Sequence, residues 1–111
     1  MRQIVFLAAL LAGACGGHDS GDIDEVIGDT CADDRDCEDR CYRDSDFPGG
    51  FCSLACNSDL DCPSDTFCMS THDGVCMFAC PEFDCSRLGP GWQCRTRSRA
   101  GGGEISVCSG D

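Results

Sequence analysis

The chain has 111 residues, 13 of them Cys, and a formal net charge of −12 with no Lys. Cys at about 12 per cent exceeds the roughly 8–10 per cent that marks a disulfide scaffold, which implies an oxidising compartment. From Gly16 onward only 14 of 96 residues are Leu, Ile, Val or Phe, too few to fold on apolar burial alone, and the acidity excludes nucleic acid and anionic membrane as partners for most of the surface.

Arg2 precedes "IVFLAALLA", nine consecutive apolar residues from Ile4 to Ala12. As a helix they rise about 14 Å, half of a hydrocarbon layer of roughly 30 Å, so residues 1–14 read as a signal peptide and not as a membrane span. Ala12-Gly13-Ala14 suits ordinary signal peptidase, which would release a soluble protein starting at Cys15. The stretch "LAGAC", Leu11 to Cys15, also resembles the lipobox of bacterial lipoproteins, with Ala12 where that motif most often has Leu. The resemblance implies a diacylglycerol on Cys15, which becomes the new N-terminus, and Gly16 after it implies export to the outer membrane. Parity favours this reading: ordinary cleavage leaves 13 Cys and a stray thiol, whereas lipidation of Cys15 leaves an even twelve. Two or more acyl chains anchor stably, where one would be marginal.

Residues 15–30 form the lipidated Cys and a flexible acidic tether. The part from Gly16 carries five acids, no base and four Gly, and its fifteen residues reach at most about 50 Å. Ile23, Val26 and Ile27 are the only candidates in it for a docking patch.

The remaining cysteines, Cys31, Cys37, Cys41, Cys52, Cys56, Cys62, Cys68, Cys76, Cys80, Cys85, Cys94 and Cys108, fall into three groups of four. The groups begin at Cys31, Cys56 and Cys80, the second and third each separated from the preceding Cys by three residues, so the disulfide-rich domain 31–108 divides into units 31–55, 56–79 and 80–108, with 109–111 as a tail. An Asp precedes the second Cys each time (Asp36, Asp61, Asp84). Between first and second Cys, "ADDRD", "NSDLD" and "PEFD" read as polar loops whose Asp and Asn cap their own backbone.

Turn signals place a short β-hairpin between the third and fourth Cys of each unit. Pro48-Gly49-Gly50 and Ala100 to Gly103 turn the first and third. In the second, Asp73-Gly74 suits a two-residue type I′ turn, which would set His72 opposite Val75 and Cys68 opposite Ala79. Cys68 and Cys76 would then point to opposite sides and not bond each other. Within a unit this leaves first to third with second to fourth, or first to fourth with second to third; the reading leans to the former and leaves the pairing unassigned. The fold class is therefore small and disulfide-rich: three four-cysteine units, each with a short hairpin and little regular structure.

"CADDRDC", "CNSDLDC" and the shorter "CPEFDC" resemble the Dickkopf N-terminal cysteine-rich module and the cysteine-rich repeats of some bacterial surface lipoproteins, over residues 31–108. The resemblance implies an extracellular module that binds partner proteins and does not catalyse.

The residues themselves offer little chemistry. Structural zinc sites use Cys pairs two residues apart, and the closest spacing here is three. An EF-hand beginning at Asp44 fails because Pro48 and Ala55 stand at ligand positions; a looser calcium site would draw on Asp33, Asp34, Asp36 and Asp39. His18 and His72 are the two histidines, and oxidised cysteines supply no thiolate, so neither an enzyme nor a cofactor is expected. Arg95, Arg97 and Arg99 alternate along a strand and form a basic stripe, a candidate site for an anionic glycan or acidic protein, or else a balance for the protein's own acids. Trp92 is either apolar mass packed on disulfides or a contact residue. The charge is uneven: residues 16–84 hold 18 acids and three Arg, a net −15, whereas 85–111 hold two acids and four Arg, a net +2.

The expectation is a monomeric, non-enzymatic lipoprotein at the bacterial outer membrane or cell surface, binding an extracellular protein or anionic glycan. The alternatives are a soluble secreted inhibitor or toxin-like protein and a structural envelope spacer.

Overall fold

The computed structural model describes residues 23–63 and 65–111; Cys15, the apolar run before it and the start of the tether lie outside them. Three two-stranded antiparallel sheets follow one another: β1 (Arg40–Tyr42) with β2 (Phe51–Ser53), β3 (Thr66–Met69) with β4 (Val75–Phe78), and β5 (Gln93–Ser98) with β6 (Glu104–Ser109). Each carries the third Cys of its unit on its first strand and the fourth on its second, and no α-helix occurs among the described residues. The protein is small and disulfide-rich, as its composition demands.

All twelve described cysteines are paired: Cys31–Cys41, Cys37–Cys52, Cys56–Cys68, Cys62–Cys76, Cys80–Cys94 and Cys85–Cys108. First joins third and second joins fourth in every unit, over Cα separations of 5.3–5.9 Å that suit an ordinary disulfide. The strand register shows how this works. Cys41 lies opposite Cys52, Cys68 opposite Cys76 and Cys94 opposite Cys108, so each hairpin presents two sulfurs on one face. The loop bearing the first and second Cys covers that face and takes both.

This corrects the expected register of the second hairpin. Met69 pairs with Val75 and Cys68 with Cys76, so the loop is Ser70–Gly74 and the two sulfurs share a face. Asp73-Gly74 is not a two-residue turn because Gly74 is needed elsewhere. Its carbonyl accepts the Cys56 N–H (3.2 Å), and a Cβ on it would stand 2.0 Å from the Cys56 carbonyl oxygen. Only glycine lets the backbone of the unit's first Cys come so close. Gly50 meets Cys31 in the same way, also at 2.0 Å.

The polar loops of units one and two are 3₁₀ turns built on two carboxylates each. In unit one, Asp36 Oδ2 accepts the backbone N–H groups of Ala32 (2.8 Å) and Asp33 (3.3 Å), and Asp34 Oδ1 accepts that of Cys41 (2.9 Å). In unit two, Asp61 Oδ2 accepts from Asn57 and Ser58 at the same two distances, and Asp59 Oδ1 accepts the Cys68 N–H (2.8 Å). One acid closes the turn and the other ties it to the hairpin. In unit three Asp84 precedes the second Cys like the others but caps the following turn, accepting from the Ser86 N–H and hydroxyl.

The tether expectation also needs correction. From Ile23 on, the segment is docked: Ile27 is buried, Ile23 and Val26 pack beside it, and Gly28 donates to the Cys52 carbonyl (2.9 Å) while Asp29 accepts the Cys52 N–H (2.9 Å). Three branched apolar residues within five positions gain more by covering a small core than they lose in chain freedom. Later junctions repeat the pattern, with Ala55 bridging to Val75 and Ala79 to Val107. The chain just ahead of each first Cys thus lies along the strand that carries that unit's fourth.

The three units share one core, in which Phe47, Phe51, Met69, Val75, Met77, Phe78 and Val107 are almost fully buried. Phe51 meets Phe78 across the first junction, and Phe78 stacks on Phe83 at 3.9 Å across another.

Candidate functional site

Arg95 and Arg97 on β5 and Arg99 just past its end are half-buried in alternation, with Thr96 and Ser98 between them exposed. The arginines turn toward the protein's own acids. Arg95 pairs with Asp111 (2.8 Å), Arg97 with Asp46 of unit one (3.5 Å) and Arg99 with Asp59 of unit two. Arg97 also donates to Ser109 Oγ and the Gly110 carbonyl, both at 3.2 Å. A stripe already engaged by carboxylates does not present free cations, so its geometry suits internal charge balance better than capture of an anionic ligand.

Trp92 is likewise interior. It is buried against Phe47 and Phe51 (ring centroids 6.2 and 5.1 Å), and its Nε1 donates to the Pro48 carbonyl at 2.9 Å. It joins unit three to unit one and, being buried, offers no contact surface.

Three of the four acids weighed for calcium are engaged within the chain, and Asp39 is exposed. Asp34 and Asp36 accept the amide bonds described above, and Asp33 accepts from the Arg35 N–H and guanidinium, which hold its carboxyl below the usual range. The Asp44, Asp46 and His72 donor atoms lie within 4.8 Å of one another. These too are engaged: His72 Nε2 is 2.6 Å from Asp44 Oδ2, its Nδ1 is 2.8 Å from Thr71 Oγ1, and Asp46 faces Arg97. Burial works to raise the Asp44 carboxyl, but the hydrogen bonds from His72 and the Asp46 N–H outweigh it and hold the group low. The His72 ring packs edge-on against Phe47 and Tyr42, so the cluster acts as a clasp between units one and two.

Two features escaped the sequence reading. Leu60 stands 95% exposed at the tip of "NSDLD", the one large hydrophobic in that state among the described residues. Its turn is fixed by Asp61 and by Asp59, which bonds Cys68 on one side and Arg99 on the other. A lone Leu amid acids and amides was the available signal, masked by reading the whole loop as polar. The second is a groove of about 630 Å³ between units two and three, walled by Phe67, Phe83 and Ile105, with Asp65, Glu82 and Arg87 around it. These six residues come from four stretches of chain, and no local pattern unites them.

Among the described residues no helix is long and apolar enough to cross a membrane. The chain matches no protein-family model, no curated protein and no solved structure.

Proposed function

We propose that this chain is a non-enzymatic binding module held at the bacterial outer membrane or cell surface by a lipid on Cys15. Leu60 is the observation that carries the binding half. Leaving a Leu side chain in water forgoes roughly 1.5–3 kcal/mol of burial, which a partner's apolar pocket would recover. The turn beneath Leu60 is already rigid, so little ordering entropy opposes the contact. Because Leu60 lies in a 3₁₀ turn (Asp59–Asp61) and not in an extended segment, a knob entering a pocket fits better than a strand laid in a protease cleft. The preferred partner is an extracellular protein; an anionic glycan is the weaker choice, given the engaged arginines.

Sulfur parity supports the anchor half. Six disulfides use twelve cysteines, and Cys15 is the thirteenth. The remaining readings are a soluble secreted inhibitor and a structural spacer.

The test expresses the full chain in a bacterium that processes lipoproteins. Intact mass should show an acylated N-terminal Cys15 and no free thiol, and the protein should enter the detergent phase while Cys15→Ser stays aqueous. Unacylated protein in the aqueous phase supports the secreted alternative. For binding, surface cross-linking by wild type should be lost in Leu60→Asp; equal capture by both rejects Leu60, and capture by neither favours the spacer.

A further inference from the structure

The groove between units two and three has a chemistry of its own. Phe83 is sandwiched: one face stacks on Phe78 with centroids 3.9 Å apart, and the Arg87 guanidinium lies 4.6 Å from the ring centroid on the Phe83 side chain. Phe67, half-buried, lies beneath the Arg99 guanidinium at 5.6 Å. Both aromatic walls therefore already hold a cation against a ring face. Asp65 and Glu82 are exposed at the same groove, and neither forms an ion pair among the described residues. Arg87 has no carboxylate partner there either. Elsewhere in the described chain, arginines at unit junctions are matched to acids; here two acids stand unmatched beside aromatic rings.

We propose that this groove is a recognition site for a basic peptide segment of the partner, with a Lys or Arg side chain entering between Asp65 and Glu82 and its apolar neighbours on Phe67 and Ile105. Charge complementarity selects this occupant. A cation gains from the carboxylates and from the ring quadrupole together, whereas an acidic segment meets two like charges. The net charge of −12 attracts such a segment from a distance. The backbone around the groove is already used, with Ala79 donating to the Asp65 carbonyl and Cys80 to that of Ser106, so recognition falls to side chains and not to strand addition. Arg87 is the resident competitor: it occupies the Phe83 face that the incoming cation would use, and it swings away on binding. The proposal deepens the binding-module reading and rests on it for the existence of a partner, but not on Leu60.

The experiment titrates the full, oxidised chain in detergent micelles with the peptide acetyl-Ile-Lys-Trp-amide and with its Glu counterpart, following backbone amide shifts by NMR. The Lys peptide should bind about ten-fold more tightly than the Glu peptide, with shifts at Asp65, Phe83 and Ile105. Asp65→Asn with Glu82→Gln should abolish that preference. Arg87→Gln should tighten the Lys peptide about three-fold by freeing the Phe83 ring. Thiol titration shows that each variant keeps its six disulfides. Equal binding of the two peptides, shifts remote from the groove, or weakening by Arg87→Gln overturns the proposal. If the Lys peptide fails while Leu60-dependent capture persists, the groove assignment falls alone; if the groove binds and that capture fails, only the Leu60 contact falls.

Discussion

Gly74→Ala tests whether the glycine two residues ahead of the fourth Cys in units one and two is there for its backbone angle or for the space it leaves. Gly74 has φ of 108° and Gly102 has φ of 105°, so alanine at either position meets similar strain, about 1–2 kcal/mol. Their surroundings differ. A Cβ on Gly102 meets nothing within 4 Å, whereas one on Gly74 would stand 2.0 Å from the Cys56 carbonyl oxygen and 3.6 Å from Cys68 Sγ. The Cys56 backbone must retreat, which gives up the hydrogen bond to Gly74, worth about 1 kcal/mol, and adds overpacking of roughly 1–3 kcal/mol. Gly102→Ala should therefore cost about 1–2 kcal/mol and Gly74→Ala about 3–6 kcal/mol. Guanidinium unfolding of the oxidised proteins gives both values, and thiol titration during refolding should show delayed closure of Cys56–Cys68 in Gly74→Ala alone. Equal costs at the two positions would refute the close-approach argument and leave backbone angle as the whole reason for the recurring glycine.

Excess reductant should unfold the chain completely, because each bond closes a loop with sequence separation of 10 to 23 residues and contributes roughly 3 kcal/mol; circular dichroism and thiol counting check this together. Asp61→Ala should cost about 0.5–2 kcal/mol by leaving the Asn57 and Ser58 amides without their acceptor, measured by thermal melts. Trp92→Ala should cost about 3–5 kcal/mol and Trp92→Phe less, since only the latter keeps a ring against Phe51; denaturant unfolding ranks them. The carboxyls of Asp33, Asp44 and Asp84 are all held below their ordinary value of 3.8. Their contribution is then present above that value and disappears as pH falls through the lowered ones, so melting temperature should drop with acid below about pH 4, and the Asp84 share should shrink but persist in Ser86→Ala, which loses the hydroxyl donor and keeps the backbone one.

Much of the architecture is legible because it is local. Cysteine spacing set the units, and Gly and Pro placed the hairpins, because such signals act within a few residues. The register of the second hairpin was not legible. Asp73-Gly74 satisfies a turn rule, yet Gly74 answers to Cys56, 18 positions earlier. Arg97 shows the same limit on the functional side. Alternation correctly set the three arginines apart from Thr96 and Ser98, but only the folded chain brings Asp46 and Asp59 to them. Docking of Ile27 was open to a reading of its apolar neighbours, though an acidic, glycine-rich setting concealed it. The groove was out of reach, since Asp65, Phe83 and Ile105 belong to separate loops and strands.

The uneven charge noted in the sequence acquires a meaning from the junctions. Units one and two meet through Asp44 and His72, units two and three through Asp59 and Arg99, and units one and three through Asp46 and Arg97. Gly110, next to the last residue, donates to the Asp46 carbonyl and brings the end of the chain back to the first unit. The repeats form a closed triangle in place of an open row, with one electrostatic latch on every side and the third corner supplying positive charge to both others. Removing one corner would strip partners from the other two, so the trio should melt in a single step.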